Sequence, residues 1–361
     1  MRTARQKLSN LIMNQQLSRR KFLKGCCAMA GVAMLGSFGC SGIVGQSENN
    51  PRGARNQRRN IPEPRYLELE RSGELAHREK ALWKLYSPCY LCPRLCGAKR
   101  AEGIGGYCTV ASSFRVASYG VDFATERPIR GTRGSGGIFL SNCNLLCIFC
   151  QNWQIAHRGD GSVTTPDQLA NMMMSIQRRN PHNVSFISPT HLVPQIVSAL
   201  RIAIGRGFNL PLLFDTSGYE SLEVIKLLDG VVDIYQPDFK FMDSEIAARF
   251  TQGAPNYAEH AAAAIKEMHR QVGVLKMADG LAYRGILMRH LVLPENLSET
   301  DKFVRWVANE LSPETHINIS GQFFPAFRSN EFPPLNRRIT RTEHNQAMTW
   351  ARDAGLHNFH S

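Results

Sequence analysis

The chain has 361 residues, enough to bury a full core with room for one large and one small domain. Its net charge of +13 would ordinarily point to a nucleic acid. Residues 1–60, however, hold eleven Lys/Arg against one acid, so +10 sits there and only +3 is spread over the other 301 residues. The folded body is near neutral, which argues against a nucleic-acid partner. Ten cysteines, seven of them in two tight groups, follow the pattern of metal ligation rather than of a disulfide framework.

The amino-terminal region carries Ser18-Arg19-Arg20-Lys21-Phe22-Leu23-Lys24, followed by an apolar, Gly/Ala-rich run over 25–39. This is the pattern of a twin-arginine export signal, a receptor-read address, and the run is too short to span a bilayer comfortably. Residues 1–40 are therefore expected to be a signal read by the twin-arginine export machinery. That places the protein in the periplasm or on its membrane. A basic amphipathic leader, with a cytoplasmic location, is the alternative. Cys40 is a candidate lipid anchor after cleavage, although Leu35 lies five residues before it and Ser37 occupies the place three before. Ordinary cleavage or a retained signal is equally open. Residues 41–63 are polar and Pro/Gly-punctuated and read as a flexible linker.

Residues 64–135 form the next expected unit, a small Cys-rich lobe. The spacing predicts a helix over 74–86, with Leu75, Leu82, Leu85 and Tyr86 on one side and Pro88 as its stop. Cys89, Cys92, Cys96 and Cys108 follow, spaced C-x2-C-x3-C-x11-C among Gly-rich turns. Four such thiolates close either a tetrahedral zinc site or a complete iron–sulfur cluster. A structural staple and an electron relay are both compatible with that set.

The unit over 136–361 opens with a strand at 138–141 leading into Cys143, Cys147 and Cys150, spaced C-x3-C-x2-C. Three thiolates hold three irons of a [4Fe–4S] cluster and leave the fourth corner open, and no cysteine follows Cys150 to close it. A zinc site with a remote ligand, or three buried free thiols, are the plainer readings. Beyond this loop, short apolar runs alternate with helical patterns. Strands are predicted at 184–188, 210–215, 232–236, 285–293 and 316–320. Helices are predicted at 166–179, 192–204, 221–228, 243–251, 257–272, 298–311 and 342–354. About six βα units of this kind make a parallel sheet with helices outside it, curling toward a barrel with its active residues at the carboxyl ends of the strands. Those ends carry Thr190 and His191, then Asp215 and Thr216, Gln236, Asp238 and Lys240, Arg289 and His290, and Asn318, Ser320 and Gln322. Such a recurring polar ring is expected to line a cavity. His316, His344, His357 and His360 are expected at the surface or in caps.

The stretch from Cys143 to Cys150 resembles the signature of radical S-adenosylmethionine (SAM) enzymes, with Phe149 in the aromatic place before the third cysteine, where such enzymes pack the adenine. The resemblance implies an α/β fold built as a partial (β/α)6, TIM-like barrel. It also implies a [4Fe–4S] cluster whose open iron chelates SAM, and SAM cleavage to a hydrogen-abstracting 5′-deoxyadenosyl radical. Asp215-Thr216-Ser217-Gly218 and Asp238-Phe239-Lys240 resemble runs of the pyruvate formate-lyase activating enzymes. By that likeness Asp215, Thr216 and Asp238 help position SAM, Asp238 and Lys240 are the candidate catalytic pair, and Arg289 and His290 face the methionine half. Where that branch carries Gly-Gly-Glu to hold the SAM amino group, this chain has Ser188-Pro189-Thr190-His191, so Thr190 or His191 is expected to take over. The four-Cys group and the runs at 147–153, 189–191 and 335–340 resemble uncharacterised activating-enzyme-like proteins over about 86–355. By analogy with glycyl-radical activation, the expected substrate is a protein or peptide backbone, with a reductant such as flavodoxin or ferredoxin. An iron–sulfur electron carrier and a zinc-stapled binding protein are the rival classes.

Overall fold

The computed structural model describes residues 61–254 and 256–361. The export signal, Cys40 and nearly all of the expected linker lie outside the described residues. Two short helices come first, α1 (Tyr66–Arg71) and α2 (Glu74–Lys84). A strand β1 (Phe114–Asp122) and a one-turn helix α3 (Arg127–Arg130) lead to β2 (Ser135–Leu140). After the three-Cys loop come α4 (Trp153–Ala156), β3 (Ser162–Thr164) and α5 (Pro166–Arg178). The chain continues through β4 (Val184–Ile187), α6 (Val193–Ile204), β5 (Leu212–Thr216), α7 (Leu222–Leu227) and β6 (Ile234–Pro237). Then follow α8 (Ser244–Phe250), α9 (Tyr257–Val272), β7 (Lys276–Ala278), β8 (Leu281–Leu291), α10 (Thr300–Glu310), β9 (His316–Ser320), α11 (Arg341–Asp353) and β10 (Phe359–His360).

The strands form a mixed sheet in the order β10-β9-β8-β6-β5-β4-β2-β1-β3, with β7 paired to β8. From β2 to β10 every neighbouring pair on this path is parallel, whereas β1 pairs antiparallel with both β2 and β3. The six expected parallel strands are joined by a seventh, short one at the end. Their outward residues, such as Ile138, Phe186, Phe214, Tyr235, Ile286 and Ile317, are fully buried against the helices. A parallel sheet covered by helices needs that apolar content. Helix α5 starts as its sequence predicts: Thr165 caps it, Gln168 reciprocates, and Pro166 opens the first turn.

The inward faces are layered. Leu213, Ile234 and Leu287 come from three neighbouring strands and pack with Ile129, Leu275 and Ala282. Two residues further along the same strands, on the same face, stand Asp215, Gln236 and Arg289. An apolar plug thus closes the amino end of the strands and a polar layer lies above it. The sheet curls around this space without closing on itself, because β3 and β10 end its path among the described residues.

The Cys-rich segment was expected to be a lobe of its own over 64–135. It shares one core with the rest instead. β1 pairs with β2 from Val116↔Leu140 to Asp122↔Ser135, across the expected boundary. Tyr66, Leu75 and Leu82 are fully buried in the same cluster as the sheet. Arg201 of α6 donates to Glu70 at 2.9 Å and to Glu79 at 2.7 Å, and Trp83 to Ser198 at 3.0 Å. Among the described residues no helix is long and apolar enough to cross a membrane.

Candidate active site

The three-Cys loop leaves β2 and is pinned on all sides. Asn142 and Leu146 adopt left-handed backbone, with φ of 72° and 58°. That is ordinary for Asn and strained for Leu, so outside contacts must hold the loop. Ile148 N donates to Phe250 O at 2.9 Å, and Arg328 N donates to Ile148 O at 3.0 Å. Asn144 donates through Nδ2 to Tyr219 O at 2.7 Å, and His157 Nε2 lies 2.9 Å from Cys147 O. Arg94 reaches in from the four-Cys group and donates to the carbonyls of Asn144 at 2.6 Å, Leu145 at 3.1 Å and Thr251 at 2.9 Å.

Cys143, Cys147 and Cys150 all open onto one cavity of about 600 Å³. Burial pushes the Cys150 thiol up to about 11 and the Cys147 thiol further still. Left alone, these thiols stay neutral, and a bound cation is what would make them thiolates. Among the described residues no three His, Cys, Asp or Glu side chains meet around a point that would hold a single metal ion. The ligands of a multi-iron cluster do not meet at a point either, since each takes its own iron. Three neighbouring thiols on one rigid loop, facing free space, therefore fit a cluster with one corner left for a small molecule.

The same cavity is lined by charged groups. Lys240 Nζ lies 2.6 Å from Asp238 Oδ2. Arg289 donates to Asp215 Oδ2 at 2.8 Å and to both oxygens of Glu126, at 2.8 and 3.0 Å. Asn318 adds a bond to Glu126 at 2.8 Å, and Gln236 another at 2.6 Å. Burial works against the Glu126 carboxylate, yet hydrogen bonds and charge from Arg289 hold it well below the usual carboxylate range. Asp215 is pushed up to about 6 by burial, with Arg289 opposing and Asp238 adding repulsion. Burial also disfavours the Lys240 ammonium, but the charge of Asp238 beside it outweighs that and raises its value.

Of the residues singled out in the sequence, Phe149, Asp215, Thr216, Asp238, Lys240 and Arg289 line this cavity with the three cysteines. Thr190, His191 and His290 do not. Thr190 is buried and donates to Glu220 Oε1. His191 is buried with Nε2 2.8 Å from Ser141 O. His290 is sealed outside the sheet, its Nδ1 2.6 Å from Phe239 O, its Nε2 2.9 Å from Thr300 Oγ1, and its ring stacked on Phe303 at 4.1 Å. None of the three, expected beside a cofactor, lines the cavity with the cysteines; for His290 the reason is that adjacent strand residues point to opposite faces, so it turns away when Arg289 turns in. His360, expected at the surface, lines the cavity.

Sequence reasoning missed Glu126, Glu220 and Arg94. Glu126 lies in an aperiodic stretch before β2, where nothing marks it as inward. Glu220 is fully buried and takes both the Thr190 and Thr216 hydroxyls on Oε1. Its position three residues after Thr216-Ser217, within a turn, was the available signal. In the four-Cys group Cys89 and Cys108 are buried, Cys92 is half-buried and Cys96 is exposed.

Residues 138–307 match the model of the radical SAM superfamily. Over that stretch the chain is similar to radical SAM domains, which work with a [4Fe–4S] cluster and SAM. An uncharacterised protein of Methanocaldococcus jannaschii, MJ0674, is 29% identical over 282 residues, covering 75% of this chain and 76% of that protein. A second from the same organism, MJ0808, is 22% identical over 263 residues, covering 68% and 73%. Among solved structures, HydG, a maturase of the [FeFe]-hydrogenase, matches with a TM-score of 0.45 at 12% identity, over 64% of this chain and 52% of that one. The radical SAM methyltransferase TsrM of Kitasatospora setae matches with a TM-score of 0.38 at 16% identity, over 52% and 36%. The chain thus spans about half of the HydG chain and about a third of TsrM.

Proposed function

We propose that this chain is a SAM-cleaving enzyme that abstracts hydrogen from a protein or peptide, as the activating enzymes do. The observation that carries the cofactor part is that three thiols and a set of buried charges line one cavity. Cys143, Cys147 and Cys150 would hold the cluster, which when bound supplies an electron and an open coordination position for splitting SAM. The chain's own residues bind and orient. SAM carries a sulfonium and an ammonium, and the carboxylates of Asp238 and Asp215 are the complementary groups in the same cavity. The Phe149 ring, set edge-on to Phe241 at 6.0 Å and to Phe323 at 6.2 Å, offers an apolar face for the adenine. Lys240 and Arg289 keep the two aspartates from repelling each other. The buried loop around Cys147 keeps water away, as radical chemistry requires.

The substrate reading rests on the likeness of 215–218 and 238–240 to the activating enzymes. The same reading calls for a one-electron donor such as flavodoxin or ferredoxin. The twin-arginine pattern at 18–24 makes the periplasm the proposed location, since that route carries folded, cofactor-loaded proteins. Fractionating cells and sizing the amino terminus tests this.

The deciding experiment is anaerobic reconstitution of the full chain with iron and sulfide, followed by SAM and dithionite. The reading expects about four irons on the three-Cys loop, a spectrum that changes when SAM is added, and 5′-deoxyadenosine as product. A SAM-insensitive spectrum with no 5′-deoxyadenosine would sink it.

A further inference from the structure

Arg100 is 1% exposed. Its Nη1 donates to His191 O at 2.9 Å and lies 3.7 Å from Cys89 Sγ, and its guanidinium stacks over Tyr86 at 4.2 Å. Nε and Nη2 are buried and have no partner. No carboxylate pairs with Arg100 among the described residues. A buried cation with two idle N–H groups is costly unless an anion faces it. What faces it is sulfur: Cys89 in contact, and Cys108 within reach of its charge.

The backbone around these sulfurs is built as a cage. Gly97 N donates to Cys89 O at 3.1 Å, Cys89 N to Ala98 O at 3.0 Å and Leu95 N to Cys92 O at 3.0 Å, folding the first three cysteines onto one knot. Thr109 N donates to Gly106 O at 2.9 Å, a turn that brings in Cys108. A side chain at Gly106 would meet Cys96 Sγ at 2.5 Å and Ala98 Cβ at 3.1 Å, so that part of the loop presses directly on the third thiol.

We infer that Cys89, Cys92, Cys96 and Cys108 hold a second metal centre of the iron–sulfur type, with Arg100 as its buried counter-charge and N–H donor. Four thiolates around such a cluster leave it anionic, which supplies the charge that Arg100 lacks. Four thiolates on one knot would also enclose a single zinc, and the metal bound by the reconstituted chain separates the two. The centre lies beside the three-Cys loop, because Arg94, between Cys92 and Cys96, is hydrogen-bonded to that loop's backbone. None of this depends on SAM cleavage.

The test is the full chain with Cys143, Cys147 and Cys150 all changed to Ala, reconstituted without oxygen with iron, sulfide and zinc all offered. The inference expects about four irons and four sulfides per chain, and a paramagnetic signal after one-electron reduction. One zinc without iron, or no metal, overturns it. Should that variant be insoluble, the intact chain answers: about eight irons support two clusters, and about four overturn the second. Adding Arg100→Met to the triple variant removes the positive charge and the N–H donors beside the sulfurs, so the midpoint potential is expected to fall. An unchanged potential at unchanged iron content overturns the role given to Arg100. Loss of SAM cleavage in the intact enzyme, with this iron still present, would count against the proposed function alone.

Discussion

Arg94 Nε donates to the carbonyl oxygen of Asn144 at 2.6 Å, and with that contact a residue set between Cys92 and Cys96 meets one set between Cys143 and Cys147. The same guanidinium reaches Leu145 and Thr251 and lies over the Tyr107 ring at 4.2 Å. A planar fork can serve several carbonyls at once, whereas a lysine ammonium cannot copy that geometry. Arg94→Lys is expected to lower the stability of the metal-free chain by roughly 2 kcal/mol, read from denaturant midpoints. Iron retained by the three-Cys loop should fall as well. Equal midpoints and equal iron would show that the bridge is idle.

Asp238 and Lys240 form a tightly placed pair, only 22% and 16% exposed. Removing one partner leaves the other charge poorly compensated, so Lys240→Met and Asp238→Asn should each destabilise the fold by about 2–4 kcal/mol. Arg289 stands by to neutralise Asp238, which sets the lower end of that range. The double variant should recover much of the loss, and unfolding curves of all four proteins measure the coupling. Simple additivity would mean that the two charges do not depend on each other.

Glu220 sets a pH dependence. Burial pushes its carboxyl up to about 7, with the Thr190 and Thr216 hydroxyls opposing. The folded chain then holds this proton more tightly than the unfolded chain does. Its contribution is therefore most favourable below about pH 4.5 and is lost as pH rises to about 7, by roughly 3 kcal/mol in all. Asp233, raised to about 7 mainly by burial, acts in the same direction. Glu220→Gln should flatten the fall in stability between about pH 5 and pH 8 without abolishing the part due to Asp233. An unaltered slope would show that Glu220 does not titrate there.

Gly218 has φ of +77°, and a side chain built on it would run into the carbonyl of Asp238. Gly218→Ala combines a left-handed backbone with that clash and should cost about 2–3 kcal/mol. Because the obstacle is the backbone of a cavity residue, SAM affinity of the reconstituted protein should weaken too. Calorimetric titration checks this, and Gly207→Ala is the control: it shares the positive φ and has nothing within 4 Å.

The parallel core was legible because its strands are short apolar runs bounded by turn residues, and the helix over 257–272 was legible down to its ends. The antiparallel strand Phe114–Asp122 was missed, as its mixed residues Arg115, Ser118 and Tyr119 give no clean alternation. Of the residues lining the cavity, Cys143, Cys147 and Cys150 stand out in the sequence by their spacing, and Asp215 and Asp238 by their places at strand ends. Glu126 does not, because its partners Arg289 and Asn318 lie more than 160 residues away. His290 misled for a related reason: polarity at a strand end does not say which face a residue takes, and its bond to Thr300 depends on a helix that packs there only in three dimensions.

The apolar plug of Ile129, Leu213, Ile234 and Leu287 has a consequence for traffic. Those side chains fill the space at the amino end of the strands, which leaves the carboxyl end, where the polar residues stand, as the side for entry. A bulky chain docked across that side would shut in the fragments of a small molecule already inside. On the proposed function the small molecule would then board first and its remains would leave last, an order set by side chains at the far end of the strands.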